Sequence, residues 1–175
     1  MILYRGAAKD KNMDYKISVL KIIHDTIVDG IGLRTSVYCA GCDYKCRNCH
    51  NPESWDINNG TWLPIQDIYN EIIRNPITSV TFTGGDPMYQ ADSFCELAKL
   101  IKNNTAKNIW CYTGDLFEDI VSKKDSKYEL LQQVDYLVDG RYIDELRKLN
   151  LPFRGSSNQR IINVQESLKR GEIVC

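Results

Sequence analysis

The chain has 175 residues, of which 43% are hydrophobic and 26% are charged, a composition typical of one globular domain. Its formal net charge is −1, and this balance argues against direct nucleic-acid binding, for which a basic excess is usual. No apolar run approaches the ~18 residues that span a bilayer, and the charged N-terminal residues contain no signal-peptide core. Seven cysteines without an export signal indicate the reducing cytoplasm, and we expect no membrane association.

Short runs that contain β-branched, aromatic and other apolar residues alternate with amphipathic runs along the chain. The first kind predicts strands, at residues 15–23, 35–39, 78–83, 108–112 and 135–138. The second kind predicts helices, at residues 64–74, in a segment with Asp92 as its N-cap, and in a region that ends near residue 133. A last strand is expected at Ile161 and Ile162.

This alternation is typical of βαβ units, which form a parallel sheet. A closed eight-fold barrel usually needs ~250 residues, more than this chain has. We therefore predict an α/β fold, a partial, open (β/α) barrel of about five or six parallel-type units. We expect a single domain over residues 1–175, in which the N-terminal ~14 residues form a flexible or edge extension.

Four of the seven cysteines lie within residues 39–50, and polar residues separate them. Thiolates crowded into a polar loop repel one another unless a metal takes up their charge, so we predict a metal site. The spacing is C-x₂-C-x₃-C-x₂-C, from Cys39 through Cys42 and Cys46 to Cys49. Two zinc knuckles need ~15–20 residues between them. The bacterial ferredoxin run has its spacings in another order.

The role of Cys39 separates two interpretations of this loop. Without Cys39, three thiolates on a cluster of four irons leave one iron without a protein ligand. An open coordination site distinguishes a catalytic metal centre from a structural one. With Cys39 as fourth ligand, the loop would instead form a closed structural module, with zinc as the metal.

A glycine-rich turn, Gly84-Gly85-Asp86-Pro87, follows the strand predicted at residues 78–83. Glycine lets the backbone approach a ligand closely, but an ordinary tight turn fits the pattern equally well. No Gly-Lys-Ser/Thr follows, so the turn is not a P-loop. Sites in parallel α/β folds lie beyond the carboxyl ends of the strands, where this turn and the cysteine loop both lie.

The C-x₃-C-x₂-C loop and the glycine-rich turn resemble the signature motifs of the radical S-adenosylmethionine enzymes. The resemblance implies a 4Fe-4S cluster bound by three metal ligands, Cys42, Cys46 and Cys49. The open iron would chelate the amino and carboxylate groups of the methionine part of S-adenosylmethionine. An electron from the cluster would then cleave the sulfonium to give a 5′-deoxyadenosyl radical.

The same resemblance implies a set of residues that contact S-adenosylmethionine. These cofactor-binding residues are Asn48, Cys49, His50, Gly84, Gly85 and Asp86. Asn48 differs from the aromatic residue that many members of the family carry at that position. No side-chain acid or base is required by this chemistry, and we nominate no catalytic residue.

Further motifs narrow the resemblance. They are Asp29-Gly30-x-Gly32-x-Arg34, Cys49-His50-Asn51 with Trp55, Val138-Asp139-Gly140, and Arg154-Gly155-Ser156-Ser157-Asn158-Gln159. Taken in order over residues ~15 to ~165, they resemble the activating enzymes of the anaerobic (class III) ribonucleoside-triphosphate reductases. The Cys-His-Asn run is similar to that of the pyruvate formate-lyase activating enzymes, which are longer and carry a Gly-Gly-Glu motif.

This resemblance implies an oxidoreductase that generates a glycyl radical on the anaerobic ribonucleoside-triphosphate reductase, its protein substrate. The alternatives are an activase of another glycyl-radical enzyme, such as pyruvate formate-lyase, and the structural zinc module. A reduced flavodoxin-like donor would supply the electron. We expect the chain to act as a homodimer or in a complex with the reductase.

Overall fold

A computed structural model describes residues 15–175. The expected N-terminal extension lies outside these residues. The described strands are β1 (Lys16–Thr26), β2 (Arg34–Cys39), β3 (Thr61–Pro64), β4 (Ser79–Gly84), β5 (Ile109–Tyr112), β6 (Tyr136–Asp139) and β7 (Arg160–Asn163). The described helices are α1 (Ile65–Ile73), α2 (Ala91–Asn104), α3 (Phe117–Lys123), α4 (Ser126–Leu131) and α5 (Val164–Arg170).

The seven strands form one mixed sheet in the order β3-β1-β2-β4-β5-β6-β7. The four central strands, β2, β4, β5 and β6, pair in parallel. The flanking strands β1, β3 and β7 pair antiparallel with their neighbours. The parallel centre agrees with the βαβ alternation of the sequence, whereas the curvature of a partial barrel stays a prediction.

Side chains alternate between the two faces of the sheet, and one face packs on the helices. Val37, Phe82 and Cys111 point from this face into the apolar core, where the rings of Phe82 and Phe94 of α2 are 4.8 Å apart. The core is continuous from β1 to β7, because amphipathic helices follow β3, β4 and β5 and cover their strands. The parallel strands are therefore buried between their neighbours, as the apolar runs of the sequence indicate.

The opposite face is more polar and carries a buried arginine. The Arg34 guanidinium donates to Thr81 Oγ1 (2.6 Å) and to the carbonyl of Ile31 (2.9 Å), and it lies 5.5 Å from the ring of Trp110. Burial lowers the pKa of Arg34 to about 10, so the group stays charged at neutral pH. The Asp-Gly-x-Gly-x-Arg segment thus places its arginine on the polar face of the sheet. There the guanidinium stabilises the turn before β2 through its bond to the Ile31 carbonyl.

Several predicted boundaries are corrected by the structure. Asp92 is not the N-cap of α2: the cap is Gln90, and Asp92 lies in the first turn, because a 3₁₀ helix at Pro87–Gln90 runs directly into α2. The helical region before residue 133 consists of two helices, separated where Lys124 adopts a left-handed conformation (φ 50°). The strand β3 and the helix α5 were not predicted.

The core assignment gives a stability prediction. Phe82→Ala should lower the free energy of unfolding by about 3–5 kcal/mol, because it removes a buried ring and leaves a cavity. Urea denaturation under anaerobic conditions measures this. Leu149, which is 90% exposed, provides the control, and Leu149→Ala should change the same quantity by less than about 0.5 kcal/mol. Equal losses in the two variants would contradict this description of the core.

Candidate functional site

The carboxyl ends of the four parallel strands lie at one edge of the sheet, and the segment after each strand contributes to one cavity there. The cysteine loop follows β2, and the glycine-rich turn follows β4. The Thr113-Gly114 turn follows β5, and the Gly140–Tyr142 segment follows β6. The cavity has a volume of about 210 Å³ and opens to solvent. The site therefore arises from the parallel register of the sheet.

The three predicted metal ligands face this cavity. Cys42, Cys46 and Cys49 all line it, and each is partly exposed. Burial raises the pKa of the Cys42 thiol, so a metal that binds here must displace its proton. Among residues 15–175, no three Cys, His, Asp or Glu side chains converge closely enough to enclose a single metal ion.

Cys39 is placed apart from the other three cysteines. It is the last residue of β2, is fully buried in the apolar core and does not line the cavity. Burial raises the pKa of its thiol well above the ordinary range. A fourth thiolate ligand from Cys39 would require β2 to turn its side chain out of the core.

The glycine-rich turn lies against the cysteine loop. Gly84 has a φ of +102°, and a Cβ atom there would lie 2.6 Å from the amide nitrogen of Cys39. A Cβ atom on Gly85 would lie 2.5 Å from the carbonyl oxygen of Gly41. The amides of Gly85 and Asp86 donate to the carbonyls of Cys39 (2.7 Å) and Gly41 (2.9 Å). Only glycine allows this approach, so both residues have a structural reason to be glycine.

Asp86 lines the cavity, but protein donors occupy its carboxylate. Oδ1 accepts from the amide of Met88 (2.9 Å), and Oδ2 accepts from Thr113 Oγ1 and the amide of Gly114 (3.0 Å each). Burial raises the pKa of Asp86 to about 6, although the backbone donors act in the opposite direction. Asp86 therefore ties the turn after β4 to the turn after β5.

Asn48 and His50 have different positions in the structure. His50 lines the cavity, and its ring lies 5.7 Å from the ring of Tyr142. Asn48 lies outside the lining, has a left-handed backbone (φ 55°) and donates from its amide to Asp144 Oδ2 (2.6 Å). Of the six predicted cofactor-binding residues, the structure brings five to the cavity and directs Asn48 elsewhere.

Several lining residues were not found from the sequence. They include Tyr44, Gly114, Arg141 and Tyr142. The available signal was their position, since each lies between cysteines or directly after a predicted strand. Asp144 does not line the cavity. Its carboxylate accepts from the Asn48 amide (2.6 Å) and from the Tyr142 hydroxyl (2.8 Å), and so it links the cysteine loop to the β6 segment.

The Arg-Gly-Ser-Ser-Asn-Gln run supports the β6 segment. Gln159 Oε1 accepts from the amides of Gly155 (2.9 Å) and Ser156 (3.2 Å), and its Nε2 donates to the carbonyl of Gly140 (3.0 Å). Asn158 donates to the carbonyl of Arg141 (2.8 Å). This run therefore holds backbone next to the cavity, and Gly155 and Gln159 also line it.

Comparison with known proteins agrees with this site. A protein-family model described as "4Fe-4S single cluster domain" matches residues 28–162, which include the cysteine loop and all four turns. The match places the chain in the class of single-cluster 4Fe-4S proteins.

Curated relatives define the family more closely. A protein of Enterobacteria phage T4 is 34% identical over 140 residues, covering 77% of this chain and 86% of the relative. Relatives from Vibrio cholerae (32% over 144 residues) and Escherichia coli strain K12 (29% over 142 residues) are covered over 90% of their lengths and align with 77% and 76% of this chain. All three are named anaerobic ribonucleoside-triphosphate reductase-activating protein. The chain belongs to this family, and the resemblance drawn from its motifs is confirmed.

The longest helix of the described residues, α2, has 14 residues. Within residues 15–175, none of the helices is both long enough and apolar enough to cross a membrane.

The contact between the glycine-rich turn and β2 gives a second prediction. Gly84→Ala should destabilise the protein more than Gly32→Ala, because both residues have a positive φ but only Gly84 meets backbone atoms at the Cβ position. Backbone strain alone costs about 1–3 kcal/mol, and the clash at Gly84 adds to it. Urea denaturation of both variants measures the difference. Equal free energies of unfolding would show that the close approach of β4 to Cys39 is unimportant.

Proposed function

We propose that this chain is an activase that uses a 4Fe-4S cluster and S-adenosylmethionine to generate a glycyl radical on the anaerobic ribonucleoside-triphosphate reductase. The observation that carries the proposal is the convergence of three thiols and a glycine-rich turn on one cavity. Membership of a family whose relatives are named for activation of that reductase supports the same function.

The thiols that face the cavity fit a cluster with one open iron. Cys42, Cys46 and Cys49 supply three soft sulfur donors, the ligands that iron–sulfur clusters use. Cys39 is buried in the core, and this placement argues against a four-thiolate zinc module. An iron without a protein ligand leaves a coordination position for a second group, as at catalytic metal centres.

The remaining lining residues suit S-adenosylmethionine. The glycine-rich turn brings bare backbone to the cavity beside the thiols, where a small polar group can approach it. His50 and Tyr142 offer flat aromatic surfaces, and bases stack on such surfaces. Asn48 stays a predicted contact, whose amide would have to leave Asp144 to reach the ligand.

The bound cluster and S-adenosylmethionine supply the one-electron chemistry and the hydrogen abstraction from a glycine. The residues of this chain bind and orient these groups, and they limit the access of water. Asp86 keeps the turns after β4 and β5 together, and Gln159 supports the β6 segment. No side chain of the cavity needs to transfer a proton.

The proposal also covers the partners and the setting. Because the cavity opens to solvent, a segment of the reductase that carries its glycine can enter it. A flavodoxin-like protein would provide the electron in the cytoplasm, and the chain would act as a homodimer or in a complex with the reductase. The sheet would curve as a partial barrel around the cavity.

Cysteine substitutions test the ligand set. Cys42→Ala, Cys46→Ala and Cys49→Ala should each abolish cluster assembly, because each removes one of three protein ligands. Cys39→Ala should retain iron and the visible absorbance that dithionite bleaches. Iron per chain after anaerobic reconstitution measures all four. Loss of iron in Cys39→Ala, or a colourless protein with one zinc per chain, would favour the structural module instead.

The partner is tested by paramagnetic resonance. With S-adenosylmethionine and dithionite under anaerobic conditions, the chain should yield a persistent glycyl-type doublet when the anaerobic reductase is present. Pyruvate formate-lyase in its place should give little signal, because the family is named for activation of the anaerobic ribonucleoside-triphosphate reductase. An equal doublet on both proteins would overturn the choice of reductase while leaving the radical chemistry intact.

A further inference from the structure

The middle residue of the C-x₃-C segment has more side-chain contacts than a solvent-exposed loop residue requires. Tyr44 lies between Cys42 and Cys46, and its hydroxyl donates to Asp115 Oδ1 (2.5 Å), in the turn after β5. Lys127, at the start of α4, donates to the other oxygen of the same carboxylate (2.7 Å). The two bonds fix the carboxylate from both sides.

The ring of Tyr44 rests on the glycine of the same turn. A Cβ atom on Gly114 would lie 2.4 Å from the ring, so only glycine leaves space for the tyrosine at this distance. Arg141 lies over the ring, with its guanidinium carbon 5.2 Å from the ring centre, and it donates to the Tyr44 carbonyl (3.0 Å). The segment between two cysteines is thus held by residues from two separate parts of the chain, the turn after β5 and the segment after β6.

The turn that receives Tyr44 is itself fixed to the site. The amide of Gly114 donates to Asp86 (3.0 Å), and the amide of Gly140 donates to the carbonyl of Asp115 (3.0 Å). A displacement of Tyr44 would therefore change the position of the thiols relative to the glycine-rich turn. The thiols of Cys42 and Cys46 must hold a fixed separation if they are to bind two irons of one cluster.

We infer that Tyr44 is a positioning residue for the cluster, and that its hydrogen bond to Asp115 and its contact with Gly114 keep the cysteine loop in the metal-binding conformation. The inference rests on the proposed function, since it concerns the cluster that these cysteines would bind. Tyr44 touches neither substrate nor reacting atoms in this role. It acts through the backbone between the two cysteines.

The test is the rate at which the reconstituted, full-length protein releases iron to the chelator bathophenanthroline. We expect Tyr44→Phe to speed this release about tenfold, because a hydrogen bond to a charged group is worth at least that factor. Gly114→Ala should speed the release as well, since the added methyl group would overlap the Tyr44 ring and displace it. Tyr69→Phe, on α1 and away from the cavity, is the matched control and should release iron at the wild-type rate.

A double-variant cycle distinguishes loss of the Tyr44–Asp115 hydrogen bond from a general loss of stability. If Tyr44 acts through Asp115, then Tyr44→Phe combined with Asp115→Ala should release iron within about twofold of Asp115→Ala alone, because coupled changes are not additive. The paramagnetic resonance spectrum of the dithionite-reduced cluster gives a second readout. Its g values should shift in Tyr44→Phe and Gly114→Ala, and stay unchanged in Tyr69→Phe.

Each outcome distinguishes this inference from the function on which it rests. Wild-type release rates and spectra in both Tyr44→Phe and Gly114→Ala would overturn the positioning role, while a wild-type protein with a stable cluster would leave the proposed function standing. Additive effects in the double variant would overturn the Tyr44–Asp115 coupling. A wild-type chain that assembles no cluster would overturn the proposed function and the positioning role together.

Discussion

The close approach of β4 to the end of β2 is the constraint on which the site depends. Gly84 pairs with Cys39 in the parallel register, and its missing side chain lets the two backbones meet. Beyond this pair the two segments stay in contact, because the amides of Gly85 and Asp86 donate to the carbonyls of Cys39 and Gly41. A Cβ atom at Gly84 would separate the strands where the cysteine loop begins. The glycine thus has a mechanical role before any ligand is considered.

Two buried aspartates extend this arrangement across the sheet. Asp86, after β4, accepts from Gly114, and Asp139, at the end of β6, accepts from the amide of Phe117 and from Arg160 Nε (3.0 Å). Both carboxylates therefore support the segment after β5, one from each side. Buried carboxylates are costly unless donors satisfy them. Here each accepts from a backbone amide of the segment after β5, and further donors are Thr113 Oγ1 and the Met88 amide for Asp86 and Arg160 for Asp139. Asp86 of the glycine-rich turn therefore joins the segments after β4 and β5 in this structure.

The central strands could be predicted because their signals are local. The run of β4 is short, alternates polar residues with Val80 and Phe82, and ends in turn residues. β3 could not be predicted, since its four residues include Pro64 and two exposed side chains, and only pairing with β1 makes it a strand. The prediction of Asp92 as the N-cap of α2 was wrong for a related reason. The 3₁₀ helix at Pro87–Gln90 runs directly into α2, so the helix begins after Gln90 even though Asp is a favourable N-cap residue.

The site, too, has parts that local sequence patterns predict and parts that depend on contacts between distant residues. The cysteine spacing and the glycine-rich turn are contiguous motifs, and five of the six predicted cofactor-binding residues do line the cavity. The contacts of Tyr44 with Asp115 and of Asn48 with Asp144 join positions 71 and 96 residues apart, which no local pattern can specify. They become visible only when the parallel register brings the turns together. The motifs therefore carry the chemistry, and the distant contacts decide where in the cavity each motif can act.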